Sequence, residues 1–255
     1  MQKRVKIALS VLLVVLFSVI VWQILAAREP TTANPVYHGK RLSEWLKDRD
    51  RKAATEAIRQ IGTNAVPRLL KEAAAHDSFV KALAAHLLRQ QSLVKWHFET
   101  SSDHQANALR GFRALGTTGA VALAQGLTNS NKWIRHGCVG QSEMAKEYRE
   151  ILFEPMLNSL KDPEPMVRAR AANALGMLGQ QPDKVVPALI ELLSDKDEWV
   201  QCMAAVGLDL YGAPAKPAVP ALLRSLTNSS SRFLSFGTHA VKKIDPQAAA
   251  EAGIK

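Results

Sequence analysis

Few residues in this sequence have the types and spacing that catalysis or metal binding requires. Its two cysteines and seven histidines form no H-E-x-x-H pattern, and His136 beside Cys138 does not by itself make a metal site. There is no G-x-S-x-G motif and no glycine-rich phosphate loop. The carboxylates lie mostly where turns and helix starts are expected, which predicts backbone capping: Asp48, Asp50, Asp162, Asp195, Asp197 and Glu198. We therefore expect no catalytic residue, no cofactor and no metal.

The composition indicates what kind of fold carries these residues. The 255-residue chain is 47% hydrophobic but only 6% aromatic, which is typical of an Ala/Leu-rich helical protein. Helical periodicity broken by Gly, Pro and Asn runs through most of the chain, with no stretch of strict two-residue alternation. The sequence therefore predicts an all-α fold without strands.

An internal repeat defines the architecture. The segments Val167–Gly179 and Val200–Gly212 align with a step of 33 residues, and the same step places apolar anchor residues at 134, 167, 200 and 233. A second signature, beginning with Val-Pro, recurs at 66–73, 186–193 and 219–226. Each unit reads as two antiparallel helices, A and B, which can bury their apolar faces only by stacking on neighbouring units.

Within one unit, local residue types predict where the helices begin and end. Pro187 is expected near the start of helix A, and Gly212 is expected to end helix B as a left-handed cap. This reading gives about seven helix pairs, at 41–62, 63–91, 92–116, 117–146, 150–179, 183–212 and 215–244. The predicted fold is an α-solenoid.

The pattern of Pro187, Asp195, Val200, Ala204-Ala205 and Gly212 resembles HEAT repeats, particularly the short bacterial form also found in phycobilin lyases. The resemblance implies an armadillo-like superhelix and a ladder between an Asp in the turn and an Arg just after the anchor. Asp162 with Arg168 fits this ladder, whereas Asp195 faces Gln201. The lead-in at 35–46 also resembles bacterial membrane-anchored HEAT proteins of unassigned function.

The N-terminus predicts a membrane anchor. Residues 1–6 are basic, and residues 7–27 contain no charged residue and would span roughly 32 Å as a helix. We expect an uncleaved signal anchor at 7–27, a linker at 28–36 and the solenoid at 37–255. The positive-inside rule places the N-terminus in the cytoplasm and the solenoid outside it, in the periplasm or at the cell surface.

Three function classes follow from this organisation. The first is a non-catalytic scaffold that binds a protein or peptide segment, with a preference for acidic partners because the net charge is +10. The second is a lyase-like enzyme or chaperone, implied by the resemblance to phycobilin lyases. The third is nucleic-acid binding through the basic surface, which the predicted location opposes. A small-molecule substrate is not expected.

A column of large side chains is the candidate site. Val80 is the corresponding anchor of an earlier unit. The residues directly before the anchors at 80, 134, 167, 200 and 233 are Phe79, Trp133, Met166, Trp199 and Arg232, and the residues directly after them include Lys81, Arg135 and Arg168. Such an aromatic and basic stripe suits a partner with apolar and acidic residues. Two interpretations remain open, namely a binding site and packing against the preceding turn.

The repeat register also makes a prediction about the two cysteines. Cys138 and Cys202 lie two repeats apart, which is beyond the Cα separation of about 7 Å that a disulfide tolerates. Both are expected to be free thiols.

Overall fold

The computed structural model of the protein describes residues 34–77, 99–227 and 230–254, together with Ser18. The described part is mostly helical, with two short strands, β1 (Val36–Tyr37) and β2 (Lys40–Arg41). The α-helices are α1 (Leu42–Trp45), α2 (Arg51–Ile61), α3 (Val66–Ala73), α4 (Ser101–Leu115), α5 (Thr117–Gly126), α6 (Lys132–Val139), α7 (Glu143–Glu147), α8 (Arg149–Asn158), α9 (Pro165–Leu178), α10 (Pro182–Leu192), α11 (Glu198–Tyr211), α12 (Val219–Leu226), α13 (Ser231–Ile244) and α14 (Pro246–Glu251).

The predicted stacking of helix pairs is observed. Helices α8 and α9, α10 and α11, and α12 and α13 correspond to the pairs predicted at 150–179, 183–212 and 215–244. The second helices of these pairs, together with α6, form one layer, here called the B layer. In this layer α6, α9, α11 and α13 each contact the next helix. The buried apolar side chains form a single core that runs between the layers. These contacts join neighbouring repeats, as expected for an α-solenoid.

Glycines bring two B-layer helices unusually close. A Cβ atom added to Gly176 of α9 would lie 2.6 Å from the Cα atom of Gly207 on α11. A Cβ added to Gly207 would lie 2.7 Å from the carbonyl oxygen of Ala172. The backbones therefore touch where no side chain intervenes, and the small residues Ala204 and Ala205 are fully buried in the same interface region.

Two predicted helix boundaries need correction. Helix α10 begins at Pro182, so Pro187 lies inside the helix and not at its start. This is tolerated because the carbonyl that loses its N–H partner belongs to Asp183, which is exposed and can be hydrated. Gly212 does end α11 with a positive φ of 62°, but its ψ of −134° is not left-handed helical. That conformation, open mainly to glycine, turns the chain directly into the 3₁₀ helix Ala213–Ala218.

The N-terminal part of the fold differs most from expectation. β1 and β2 form an antiparallel hairpin, although no strand was predicted, because His38 and Gly39 both adopt positive φ values of 48° and 72° and close a two-residue turn. Two-residue strands are too short to show alternation in the sequence. The unit predicted at 41–62 is also not a full pair, since α1 has only one turn.

Other predictions fall wholly or partly outside the described residues. The anchor at 7–27, Phe79 and Lys81 lie there, as do the second helix expected in 63–91 and the first expected in 92–116. Within the described part of the chain, no helix is both long and apolar enough to cross a membrane. Both cysteines are buried free thiols, as predicted. Burial raises the pKa of the Cys138 thiol to about 12.

Candidate functional site

The predicted column of large side chains lies at the start of the B-layer helices but divides into different environments. Trp133 is half-buried and stacks on the His76 ring, with centroids 3.9 Å apart and an interplanar angle of 6°. Met166 is half-buried against the core. Trp199 is 47% exposed and contacts the Phe236 ring edge-on at 6.4 Å. Trp133 thus stacks on a side chain from an earlier turn, whereas Trp199 presents a large apolar surface to solvent, and partner binding by this column stays a prediction.

The two predicted basic residues, Arg135 and Arg168, link neighbouring repeats. The Arg168 guanidinium donates from Nε and Nη2 to both carboxylate oxygens of Asp195, each at 2.8 Å. Arg135 binds Asp162 in the same bidentate manner at 2.6 and 2.9 Å. Both arginines also donate to backbone carbonyls in their own turn, as Arg168 does to the Asp162 carbonyl at 2.8 Å.

This geometry corrects the predicted pairing of Asp162 with Arg168 side chains. Each arginine pairs with the carboxylate of the aspartate one repeat further along, and bonds only to backbone carbonyls in its own turn. Burial tends to raise the Asp195 pKa, but hydrogen bonds from Arg168 and from the Asp197 amide outweigh it, so the pKa is lowered. The hydrogen bond to Asp195 raises the pKa of Arg168. Both guanidinium groups are committed within the protein, and a role for them in partner binding stays a prediction that this geometry does not favour.

An apolar stripe that the sequence reading missed covers the exposed face of α11. Trp199, Met203, Val206 and Leu210 follow each other at steps of four, three and four residues, which places them on one side of a helix. Trp199 and Leu210 are 47% and 41% exposed, and the two residues between them are half-buried. A surface helix normally directs such a stripe toward the core, so this one is available to a partner.

The same face of α9 and α13 extends this stripe into a surface. The 33-residue step relates three rows of four residues, one row on each helix. All twelve residues are at least partly exposed. Together they are here called the B face: Met166, Arg170, Asn173 and Met177; Trp199, Met203, Val206 and Leu210; Arg232, Phe236, His239 and Lys243. Seven of the twelve are apolar, four are Arg, His or Lys, and none is acidic. The other residues of the B face lie four, seven and eleven positions after the predicted column residue of each repeat, so the sequence pattern could have revealed this surface.

A half-buried cation, Arg170, lies at one edge of the B face. Its guanidinium donates to Gln105 Oε1 at 2.9 Å and lies 3.1 and 3.2 Å from the two ring nitrogens of His136. Among the described residues no carboxylate forms a salt bridge with it, unlike Arg135 and Arg168. Burial lowers the pKa of His136 to about 4, with further lowering by Arg170 and His76, so this ring is neutral near pH 7. The edge can therefore accept an anionic group from a partner.

The opposite edge of the B face is also cationic, but partly neutralised. His239 and Lys243 each contact Asp209, with His239 Nδ1 at 2.9 Å and Lys243 Nζ at 3.0 Å from its carboxylate oxygens. Arg232 is exposed and has no ion pair among the described residues. Arg170 and Arg232 are thus the B-face cations left without a carboxylate.

Five of the six acidic residues cap the backbone as the sequence predicted. The side chains of Asp48, Asp50, Asp162, Asp195 and Asp197 all accept hydrogen bonds from backbone amides two or three residues later. Glu198 instead accepts a hydrogen bond from Ser230. Over residues 34–77, 99–227 and 230–254, no group of three or more His, Cys, Asp or Glu side chains is arranged to hold a metal ion.

Comparison with solved structures returns distant neighbours. An engineered protein is 20% identical, with 80% of this chain and 96% of that chain covered and a TM-score of 0.45. A designed armadillo repeat protein in complex with the peptide (KR)4 is 16% identical, with coverage of 80% and 98% and a TM-score of 0.46. A search of the curated proteins found no match.

Comparison with protein families identifies the repeat. Residues 153–240 match the family model described as HEAT repeats. The match runs from within α8 to within α13, and so includes most of the three regular helix pairs, both aspartates of the ladder and the B face except Lys243. Together with the stacked pairs and the 33-residue period, it supports HEAT repeats over this part of the chain.

Proposed function

We propose that this protein is a non-catalytic scaffold whose B face binds a segment of a partner protein that carries both apolar and acidic residues. The apolar stripe from Trp199 to Leu210 carries the proposal. Its two end residues are exposed and the two side chains between them are half-buried, so the stripe leaves apolar surface in water unless a partner covers it. Trp and Arg are the residue types that most often dominate binding energy at interfaces.

The charges on the B face set the chemistry of that partner. Arg170 and Arg232, which form no salt bridge among the described residues, lie on either side of the apolar stripe, on α9 and α13. An Asp or Glu on the partner would form a charge-assisted hydrogen bond there, while a basic segment would be repelled. Nucleic acid is the weaker candidate, because an exposed apolar centre contributes little to binding a phosphate backbone.

Photocrosslinking in the full-length chain can test this surface. A photoreactive amino acid at Met177 or Leu210, which are 60% and 41% exposed, should form an adduct with one protein, and mass spectrometry should place the bond in an apolar segment containing Asp or Glu. The matched control is the same amino acid at Arg224, which is exposed on α12 in the opposite layer and should give no such adduct.

Substitution on the B face then measures its contribution. Trp199→Ala should weaken binding of a synthetic peptide copied from the crosslinked segment by about 30-fold or more, the effect of losing an interface hot spot. The melting temperature should change little, since Trp199 is nearly half exposed. Unchanged peptide affinity, or adducts that form equally from position 224, would contradict the proposal.

The location of the scaffold is a separate part of the proposal. Residues 7–27 would hold it in the membrane with the solenoid outside the cytoplasm, as the basic residues before this apolar stretch suggest. Protease added to intact cells, after outer-layer permeabilisation where needed, should then digest residues 28–255. A protected C-terminus would contradict this topology, and a mature chain starting near Arg28 would contradict the anchor.

A further inference from the structure

A cavity of about 300 Å³ lies far along the chain from the B face, between α1, α2 and α4. Its lining is largely apolar, with Leu46, Ala54, Ile58 and Ala114, and also includes Arg51, Arg110 and Arg113. This volume is at the lower end of the range for small-ligand sites, roughly 300–1,000 Å³. Such a lining combines an apolar base with a cluster of positive charge.

Two of these three arginines lack a carboxylate partner. Arg113 is neutralised by Glu143 at 2.9 Å and Glu147 at 3.4 Å. In the described part of the chain, no Asp or Glu oxygen lies within salt-bridge distance of Arg51 or Arg110. The nearby Asp50 is committed to capping α2, where it accepts from the amides of Lys52 and Ala53.

Arg110 has one hydrogen-bond donor without a partner among the described residues. Its Nη2 donates to the Leu46 carbonyl at 3.3 Å and to the Asn107 side chain, but its buried Nε has no hydrogen-bond partner. A buried donor without a partner costs free energy that a suitable acceptor would recover. Burial and the neighbouring charge of Arg51 lower the Arg110 pKa against the opposing effect of Asp103, as expected for a cation without a close counter-ion.

We infer that this cavity binds a small organic carboxylate, with the carboxylate between Arg51 and Arg110 and its apolar group against Leu46, Ile58 and Ala114. Guanidinium and carboxylate groups match in planar, bidentate geometry, and an anion between the two arginines removes their mutual repulsion. The apolar floor favours a carboxylate with a hydrocarbon group over an inorganic anion. Such a group can be a free acid or the C-terminal carboxylate of a peptide ending in an apolar residue.

Isothermal titration of the full-length protein with benzoate tests this inference. Benzoate should bind at least tenfold more tightly than benzamide, which has the same shape without the charge, and inorganic phosphate should bind more weakly than benzoate. A short peptide ending in a free leucine carboxylate, compared with its amidated form, separates the two sources. Tighter binding of the peptide acid than of benzoate would identify the ligand as the C-terminus of a chain, and tighter binding of benzoate would identify it as a free acid.

Two variants examine the arginines independently. Arg51→Gln and Arg110→Gln should each weaken benzoate binding by about tenfold, the loss of one hydrogen-bonded charge. Arg51 is exposed, so its variant remains informative even where Arg110→Gln perturbs folding. Arg149→Gln removes an exposed arginine elsewhere and should change nothing. Equal binding of benzoate and benzamide, no binding of either, or full binding by Arg51→Gln would overturn the site. None of these outcomes depends on the B face.

Discussion

Substituting Arg168 by alanine should lower the free energy of unfolding by about 3–5 kcal/mol, because it leaves the carboxylate of Asp195, whose side chain is only 9% exposed, without its partner. Arg168 is 7% exposed, and its guanidinium holds both oxygens of Asp195 and the Asp162 carbonyl. Removing the Arg168 side chain breaks hydrogen bonds within one repeat and between that repeat and the next. Urea denaturation followed by circular dichroism measures the change.

Two comparisons isolate the ion pair at Arg168. Arg149→Ala removes an exposed arginine paired with the exposed Glu150, so its effect should stay below about 1 kcal/mol. Arg168→Met combined with Asp195→Leu removes both charges and should recover much of the loss. Because the pKa of Asp195 is lowered in the native protein, its ionised carboxylate stabilises the fold fully above the ordinary pKa of 3.8, and this stabilisation is lost as the pH falls through the lowered pKa. The difference between wild type and Arg168→Ala should therefore shrink in acid, and a constant difference would argue against this carboxylate as the cause.

Replacing Gly176 by alanine should also destabilise the protein, although alanine is the better helix former. The propensity gain of roughly 1 kcal/mol for Ala over Gly is opposed by a methyl group placed 2.6 Å from the Gly207 Cα. Because the obstacle is backbone, α9 and α11 must separate, and overpacking of this kind costs about 1–3 kcal/mol or more. We expect a net loss of about 1–2 kcal/mol in urea denaturation.

Substitutions nearby distinguish helix contact from helix propensity. Asn173→Ala, on the half-exposed side of the same helix, should be neutral or slightly stabilising. Gly207→Ala should destabilise as Gly176→Ala does, since its Cβ would meet the Ala172 carbonyl. A Gly176→Ala protein at least as stable as wild type would show that the two helices are further apart than described.

Periodicity predicted the repeats because it reflects packing constraints that recur in every unit. The anchor Val200 is fully buried and its neighbour Trp199 is exposed, and the same step of 33 residues relates Val167 to Val200. Helix starts were predicted best where a short polar side chain caps the backbone, as Asp197 does for α11. Pro187 was misplaced because proline limits its own backbone but does not prevent a helix from starting five residues earlier.

The candidate site was predicted only in part, because exposure depends on the neighbouring helix. Trp133 and Trp199 occupy equivalent positions in the sequence, yet His76 covers one ring and only the edge of Phe236 contacts the other. The repeat step alone could not distinguish them. The repeat step did, however, relate the residues in the other columns of the B face. These columns become visible only when whole helix faces are compared and not single positions.

The sequence by itself determined the helical repeat, its 33-residue step and the free state of Cys138 and Cys202, because each follows from local residue types and their spacing. Only the tertiary structure decided which partners the side chains select. Arg168 was expected to pair within its own turn, but it reaches Asp195 in the next repeat because the stacking of α9 on α11 brings that carboxylate within 2.8 Å. Arg51 and Arg110 are 59 positions apart in the chain, and packing of α2 on α4 places them around one cavity. Such contacts depend on how helices pack in space, which residue spacing along one chain does not specify.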